Sequence, residues 1–215
     1  MKHGKSLWGA VGMLAVFGLW TAAVCLLDVQ AIGPQGSTVG FASINRAVHD
    51  LTGVHLSLYV LTDWLSLVPV LFAVGFALLG LSQWIRRKRL RQVDRSLLLL
   101  GGFYVVVMAA YGFFERVVVN YRPILMDGVL EASYPSSTTM LVLCVMPTAI
   151  LQLKARIKPR TLRLCTAALL TAFTAFMVVG RLVSGVHWVT DIIGGALLSA
   201  GLVMLYHSVS GLKAE

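Results

Sequence analysis

The sequence GRLVSGVHWVTD, residues 180–191, places an arginine, a histidine and an aspartate between two long apolar runs. Because a charged residue costs about 2.5–3.5 kcal/mol at the centre of a bilayer, such a cluster needs a reason. His187 and Asp191 are four residues apart, which predicts a shared helix face on which the carboxylate orients the imidazole. Arg181 lies just before that predicted helix and is suited to grip an anion. The alternative is a polar helix start with an interfacial Trp188.

The composition excludes a soluble globular domain. Of 215 residues, 58% are hydrophobic and 13% are charged, and the mean hydropathy is +0.82. The formal net charge of +9 comes mostly from short basic runs between apolar segments. That distribution indicates a multispanning membrane protein rather than a nucleic-acid-binding surface. The three cysteines lie in apolar runs without pairing or metal-ligand spacing, so we interpret them as packing residues.

Hydropathy predicts one all-α membrane domain over residues 1–215, a bundle of six transmembrane helices. The predicted spans are residues 7–27, 64–85, 96–119, 136–153, 164–179 and 187–209. Leu56 is an alternative start for the second span. A retained first span is favoured over a signal peptide, because the run lacks a small-x-small exit. Between the first two spans, apolar residues at helical spacing over residues 44–51 predict an amphipathic helix on the membrane surface.

The basic residues predict the orientation of the bundle. Lys2 and Lys5, the basic run at residues 86–95, the loop at residues 154–163 and the tail at residues 213–215 all fall on one side, which is expected to be cytoplasmic. The arginines left on the outer face are Arg46, Arg116, Arg122 and Arg181. We therefore expect both termini in the cytoplasm of a bacterium, with the polar site on the extracytoplasmic side of its plasma membrane.

Three polar stretches meet on that outer face: Arg122-Pro123, the sequence PSST at residues 135–138, and residues 180–191. Each alone is a common loop or helix start, but together they suit a phosphate. Arg122 and Arg181 are predicted to clamp its oxygens. A helix start also favours an anion through its free N–H groups and its dipole. The predicted phosphate-binding hydroxyl residues at that start are Ser136, Ser137 and Thr138.

These residue types predict phosphoryl transfer through a histidine. His187 attacks phosphorus, Asp191 orients its far nitrogen, and water hydrolyses the resulting phosphohistidine. The arginines supply the positive charge, and the sequence shows neither a carboxylate cluster for Mg²⁺ nor a Cys/His set for zinc. We therefore expect no metal and no other cofactor.

The chain resembles the type 2 phosphatidic acid phosphatase superfamily, which are six-span membrane enzymes that remove phosphate from lipid phosphates and diphosphates by way of a histidine. The family pattern is Lys-x6-Arg-Pro, Pro-Ser-Gly-His and Ser-Arg-x5-His-x3-Asp. Here the third motif reads Arg181, His187 and Asp191, with Gly180 in place of its serine, and the first keeps Arg122-Pro123. The resemblance covers spans three to six directly and the whole chain by topology.

The first two motifs depart from this pattern. Glu115 stands where the family has lysine, and we expect it to hold an arginine in place. Arg116 is turned by about 100° from that position on a helix, so it is an accessory residue at most. Thr138 stands where the family has the histidine that protonates the leaving group, and Ser137 replaces a glycine. A threonine hydroxyl does not serve as a general acid near neutral pH.

Three consequences are open at this point. The first is that the enzyme is slow, since loss of acid catalysis typically lowers the rate by about 10²- to 10⁴-fold. The second is that another group donates the proton. The third is that the leaving group needs little protonation, as with a polyprenyl diphosphate. Phosphatidic acid and phosphatidylglycerol phosphate are the other substrates considered. The candidate proton donors are His49, His55, Tyr121 and Tyr134.

The predicted function is a membrane phosphatase that acts on the phosphomonoester or diphosphate of a lipid. Its partners are the phosphorylated lipid and the bilayer, with no nucleic acid. The alternative, suggested by Glu115 and Thr138, is a catalytically weak or inactive relative that binds phospholipid. A phosphotransferase that passes the group to an alcohol is a third interpretation. A transporter is disfavoured because the sequence shows no paired broken helices.

Overall fold

A computed structural model describes residues 2–212, with side chains from Ser6 onward. The described helices are α1 (Lys2–Leu26), α2 (Ala42–Thr52), α3 (Leu56–Leu65), α4 (Leu67–Arg87), α5 (Arg95–Arg116), α6 (Ser137–Lys154), α7 (Arg160–Val183) and α8 (Val189–Ser210). Over this part of the chain there is no strand beyond isolated bridges, so the all-α prediction is confirmed. The tail at residues 213–215 and the side chains of Lys2 and Lys5, which were used to predict orientation, lie outside the described residues.

Within residues 2–212, six helical segments are long and apolar enough to cross a membrane, as predicted. The second starts earlier than residue 64, because α3 and α4 form one bent segment over Leu56–Arg87. At the bend, the hydroxyl groups of Thr62 and Ser66 donate back to carbonyls of the preceding turn, a pattern that often bends helices. The fifth runs over Arg160–Val183, beyond the predicted residues 164–179 at both ends.

Helix α8 lies at the centre of the bundle and packs against α1, α5 and α6. Its small residues allow this close approach, as their composition predicted. A methyl group added at Gly194 would come within 2.5 Å of the Tyr134 ring, and one at Gly201 within 2.7 Å of Leu14. Helix α8 is therefore held tightly against its neighbours at Gly194 and Gly201.

The surface helix predicted around residues 44–51 is present as α2. Its apolar residues Ile44 and Leu51 are 55% and 86% exposed, whereas Asn45 is fully buried. Asn45 thus points into the protein while these two apolar side chains face outward, as expected for a helix lying on a bilayer.

Candidate active site

The ends of four helices form the polar end of the bundle. Helices α5 and α7 end there at Arg116 and Val183, and α6 and α8 begin there at Ser137 and Val189. At the other end of the bundle, Asp94 lies 3.4 Å from the guanidinium nitrogens of both Arg87 and Arg156. The basic loops and the polar site therefore lie at opposite ends of the spans, as the sequence predicts.

His187 lies in the turn before α8 rather than on the helix. Helix α8 begins at Val189, because the Asp191 carboxylate accepts the backbone N–H of Trp188 at 2.9 Å and closes a capping box there. The expectation that His187 and Asp191 share a helix face is therefore wrong. The aspartate caps the helix, and the histidine reaches it from the preceding turn.

Gly185 shapes this turn. Its φ of +70° lies in the left-handed region, and a methyl group added there would sit 2.0 Å from the carbonyl oxygen of Gly53. The neighbouring backbone is joined to the same loop, since the N–H of His55 donates to the carbonyl of Ser184 at 3.0 Å. The loop between α2 and α3 thus fixes the turn that carries His187.

Gly185→Ala is expected to destabilise the protein through both strain and overlap, by roughly 2–4 kcal/mol. Gly128→Ala is the matched control, because Gly128 also has a positive φ (+80°) but has nothing within 4 Å of an added methyl group. Thermal unfolding in detergent should show a clearly larger fall in Tm for Gly185→Ala. Equal shifts for the two variants would contradict the close packing of this turn.

His187 lies between Asp191 and Arg122. Its Nδ1 is 3.8 Å from Asp191 Oδ2, and its Nε2 is 3.2 Å from a terminal nitrogen of Arg122. Because a guanidinium only donates hydrogen bonds, Nε2 must be the acceptor, which assigns the proton of the neutral ring to Nδ1. That tautomer directs the Nδ1 proton toward the carboxylate and leaves a lone pair on Nε2.

The surroundings of His187 keep its imidazole neutral. The side chain is almost completely buried, and burial is the main reason that its pKa falls to about 4 from an ordinary 6.5. The charges of Arg122 and Arg181 lower the pKa further, while Asp191 opposes the shift. At neutral pH the ring is therefore unprotonated at Nε2, which is the form that a nucleophile requires.

Arg122 is held from its other side by a glutamate. Its Nε donates to Glu131 Oε2 at 2.9 Å, and its backbone N–H donates to the Glu131 carbonyl at 3.0 Å. A second contact runs from its guanidinium to the Val186 carbonyl at 3.4 Å. The guanidinium therefore lies directly in front of Nε2 of His187.

Arg181 lies in the last turn of α7 rather than before a helix, and its side chain contacts α3. Its guanidinium lies 4.4 Å from the centre of the Tyr59 ring and 3.2 Å from the Thr62 hydroxyl. Asp63 is the nearest carboxylate, at 3.8 Å. Helix α3, the first part of span two, thus positions Arg181. The sequence analysis did not predict these contacts, because Tyr59, Thr62 and Asp63 belong to no recognisable motif.

A buried amide network supports Asp191 from behind. Asn120 Nδ2 lies 3.2 Å from Asp191 Oδ1, and Asn45 Nδ2 donates to the Thr190 hydroxyl at 2.9 Å. Both asparagines are almost completely buried. The sequence analysis predicted a role for neither asparagine. The one signal for Asn45 was that it is a polar residue on a predicted amphipathic helix.

A cavity beside His187 brings together part of the predicted site. Its lining includes Arg122, Ser137, Tyr134 and Glu115. Thr138 lines an adjoining cleft, together with Asp63 and Ser137. The hydroxyl of Ser136 is buried and has no hydrogen-bond partner among the described residues. Arg116 turns back onto its own helix and donates to the Gly112 carbonyl at 2.8 Å.

The part of the chain that contains the candidate site matches a known protein family. Residues 116–214 match the PAP2 superfamily. The resemblance seen in the sequence motifs is thus confirmed over residues 116–214, which include Arg122, residues 135–138 and the stretch 180–191. No curated protein matches the chain significantly.

The fold is similar to that of a membrane protein of known structure. The structure is similar to that of a transmembrane PAP2 type phosphatidylglycerolphosphate phosphatase from Bacillus subtilis, with a TM-score of 0.60 and 19% sequence identity. The alignment covers 93% of each chain. The likeness therefore includes α1 to α4, which lie before the PAP2 match in the sequence.

Proposed function

We propose that the protein is an integral-membrane lipid phosphatase in which His187 is the nucleophile. The single observation that carries the proposal is the position of His187, between a carboxylate 3.8 Å from Nδ1 and a guanidinium 3.2 Å from Nε2. A histidine held only to cap a helix or to fill the core does not need an arginine at its free nitrogen. A bound phosphate oxygen is the natural partner for that guanidinium.

The proposed reaction has two steps. First, the lone pair of His187 Nε2 attacks phosphorus, and the bond from phosphorus to the lipid oxygen breaks with its electron pair left on that oxygen. The ring then carries a phosphoryl group on Nε2 and a proton on Nδ1, and the Asp191 carboxylate stabilises the resulting positive charge. Second, water attacks phosphorus, the bond to Nε2 breaks, and inorganic phosphate leaves the restored neutral imidazole.

Charge stabilisation in this proposal comes from the chain itself, without a metal or cofactor. Arg122 and Arg181 hold the equatorial oxygens, in which negative charge develops as the transition state forms. The backbone N–H groups of the first turn of α6, from Ser137 onward, supply further donors, together with the unpaired hydroxyl of Ser136. The same residues would hold either a phosphomonoester or the terminal phosphate of a diphosphate.

The whole chain, residues 1–215, is proposed to work as one membrane-embedded domain in a bacterial plasma membrane, with its site on the extracytoplasmic side. The opposite positions of the basic loops and the polar site support this orientation. The phosphorylated head group would then approach from the outer leaflet.

A substrate panel tests the proposal. Purified full-length protein in right-side-out proteoliposomes is given phosphatidic acid, phosphatidylglycerol phosphate or a polyprenyl diphosphate in the outer leaflet, and released phosphate is measured. We expect release from at least one of them without addition of detergent. Release that needs detergent would contradict the outward site. If none of the substrates releases phosphate even in detergent, the phosphatase proposal is wrong and the phospholipid-binding alternative is favoured.

A further inference from the structure

The structure bears on how the leaving group obtains its proton, a question that the sequence leaves open. When a lipid phosphomonoester is cleaved, an alkoxide leaves, and protonating it as the bond breaks accelerates the reaction. Thr138, which stands at the position of the family histidine, lines the adjoining cleft rather than the cavity that contains His187. The proton donor must therefore be sought among the side chains that line the His187 cavity.

The histidines and tyrosines considered from the sequence are poorly placed for this role. His49 packs against the Trp188 ring at 5.4 Å, and His55 Nε2 lies 2.9 Å from the Thr52 carbonyl. The hydroxyl of Tyr134 is 2.7 Å from that of Thr21, and burial raises the pKa of Tyr134 above its ordinary value. Tyr121 contacts the site through its carbonyl, which accepts the indole N–H of Trp188.

Besides Asp191 and Asp63, which lie beside His187 and Arg181, two glutamates belong to the site, and they differ in availability. Glu131 forms the ion pair with Arg122, so it must stay ionised to hold the guanidinium in place. Glu115 lines the same cavity as His187 and Arg122. Tyr111 lies four residues earlier on α5, on the same helix face, and also lines the cavity. Among the residues that line this cavity, Glu115 is the carboxyl that no ion pair holds.

We propose that Glu115 is the proton donor to the leaving group, and that Tyr111 positions it. This inference rests on the proposed phosphatase function and deepens it. As His187 Nε2 bonds to phosphorus, the breaking P–O bond leaves its electron pair on the lipid oxygen, which takes the proton from Glu115 and departs as an alcohol. In the second step the ionised Glu115 takes a proton from the attacking water, and phosphate leaves as Nε2 recovers its electron pair.

Electrostatics are compatible with an acid at this position. Arg122 and Arg181 together with the start of α6 offset the repulsion between the phosphate and an ionised carboxylate. The substitution of glutamate for the family lysine thus exchanges a positive charge for an acid, in a chain that also lacks the family histidine.

Glu115→Gln tests the proposal through the leaving group. The probes are phosphatidic acid, whose leaving alkoxide needs a proton, and p-nitrophenyl phosphate, whose leaving phenolate is a weak base and does not. Because kcat/KM reports steps up to departure of the leaving group, we expect a fall of about 10²-fold or more for phosphatidic acid. For p-nitrophenyl phosphate, kcat/KM should change less than about threefold. Tyr111→Phe should give the same selectivity with a smaller loss.

Two controls make the outcome decisive. Asp127→Asn makes an equivalent charge change in the exposed loop between α5 and α6 and should leave both substrates unaffected. Thermal unfolding verifies that Glu115→Gln stays folded. An unchanged kcat/KM for phosphatidic acid, or equal losses on both substrates, would overturn the role of Glu115 while leaving His187 as nucleophile. If the wild type hydrolyses neither substrate, the proposed function fails and the proton-donor role fails with it.

Discussion

His187→Ala is expected to reduce phosphate release by at least about 10⁴-fold, because it removes the atom that bonds to phosphorus. The loss should apply equally to lipid monophosphates, lipid diphosphates and p-nitrophenyl phosphate, since all of them share the attack step. It should appear in kcat, whereas substrate binding by Arg122 and Arg181 is retained. Phosphate release from purified full-length protein in detergent measures the effect.

His55→Ala is the matched control for this variant. His55 is exposed on the same end of the bundle, and its ring nitrogen contacts a backbone carbonyl of its own loop. Its removal should leave the rate close to that of the wild type. If His187→Ala retained a substantial share of the wild-type rate, His187 would not be the nucleophile, and the buried His–Asp pair would have only a structural role.

Asp191→Asn is expected to lower kcat by about 10²- to 10⁴-fold with little change in stability. An asparagine keeps a carbonyl oxygen that can accept the Trp188 N–H, so the start of α8 is retained. The oxygen that accepts this N–H, Oδ2, is also the one that lies 3.8 Å from His187 Nδ1, so the retained carbonyl oxygen still faces the imidazole. The neutral amide no longer offsets the positive charge that the ring acquires as Nε2 bonds to phosphorus, so the phosphohistidine loses its counter-ion.

The same substitution at an exposed site, Asp50→Asn on α2, provides the control and should leave kcat unchanged. Circular dichroism and thermal unfolding verify that the Asp191→Asn bundle is intact. A fully active Asp191→Asn protein would show that orientation of His187 depends on the turn alone. A protein that fails to fold would show that the carboxylate serves mainly as the helix cap.

The sequence predicts the six-helix bundle well because a bilayer requires long apolar spans and favours basic residues in the cytoplasmic loops. Apolar runs and basic loops are enough to count the spans, and alternating directions then bring Arg122 and His187 to the same end. The helix boundaries near the site are less predictable. Spacing alone suggests that His187 and Asp191 share a helix face, whereas the Asp191 carboxylate caps α8 and leaves His187 in the turn.

The supporting residues of the site could not be read from local patterns. Asn45 bonds to Thr190 across 145 positions of sequence, and Arg181 reaches Thr62 across 119. Such contacts depend on how the helices pack, and an isolated asparagine or threonine has no periodicity that identifies it. A better signal of a functional residue was a residue type that is unusual for its position, such as the acidic Glu115 at the outer end of an apolar span.

The most direct test of the central claim is to locate the phosphoryl group during turnover. Wild-type protein is mixed with ³²P-labelled substrate, quenched in alkali within one turnover, digested, and mapped by mass spectrometry. The account predicts an acid-labile, alkali-stable phosphoryl group on the imidazole of His187, which disappears as inorganic phosphate is released. A label on another side chain, or equal labelling of the wild type and His187→Ala, would contradict it.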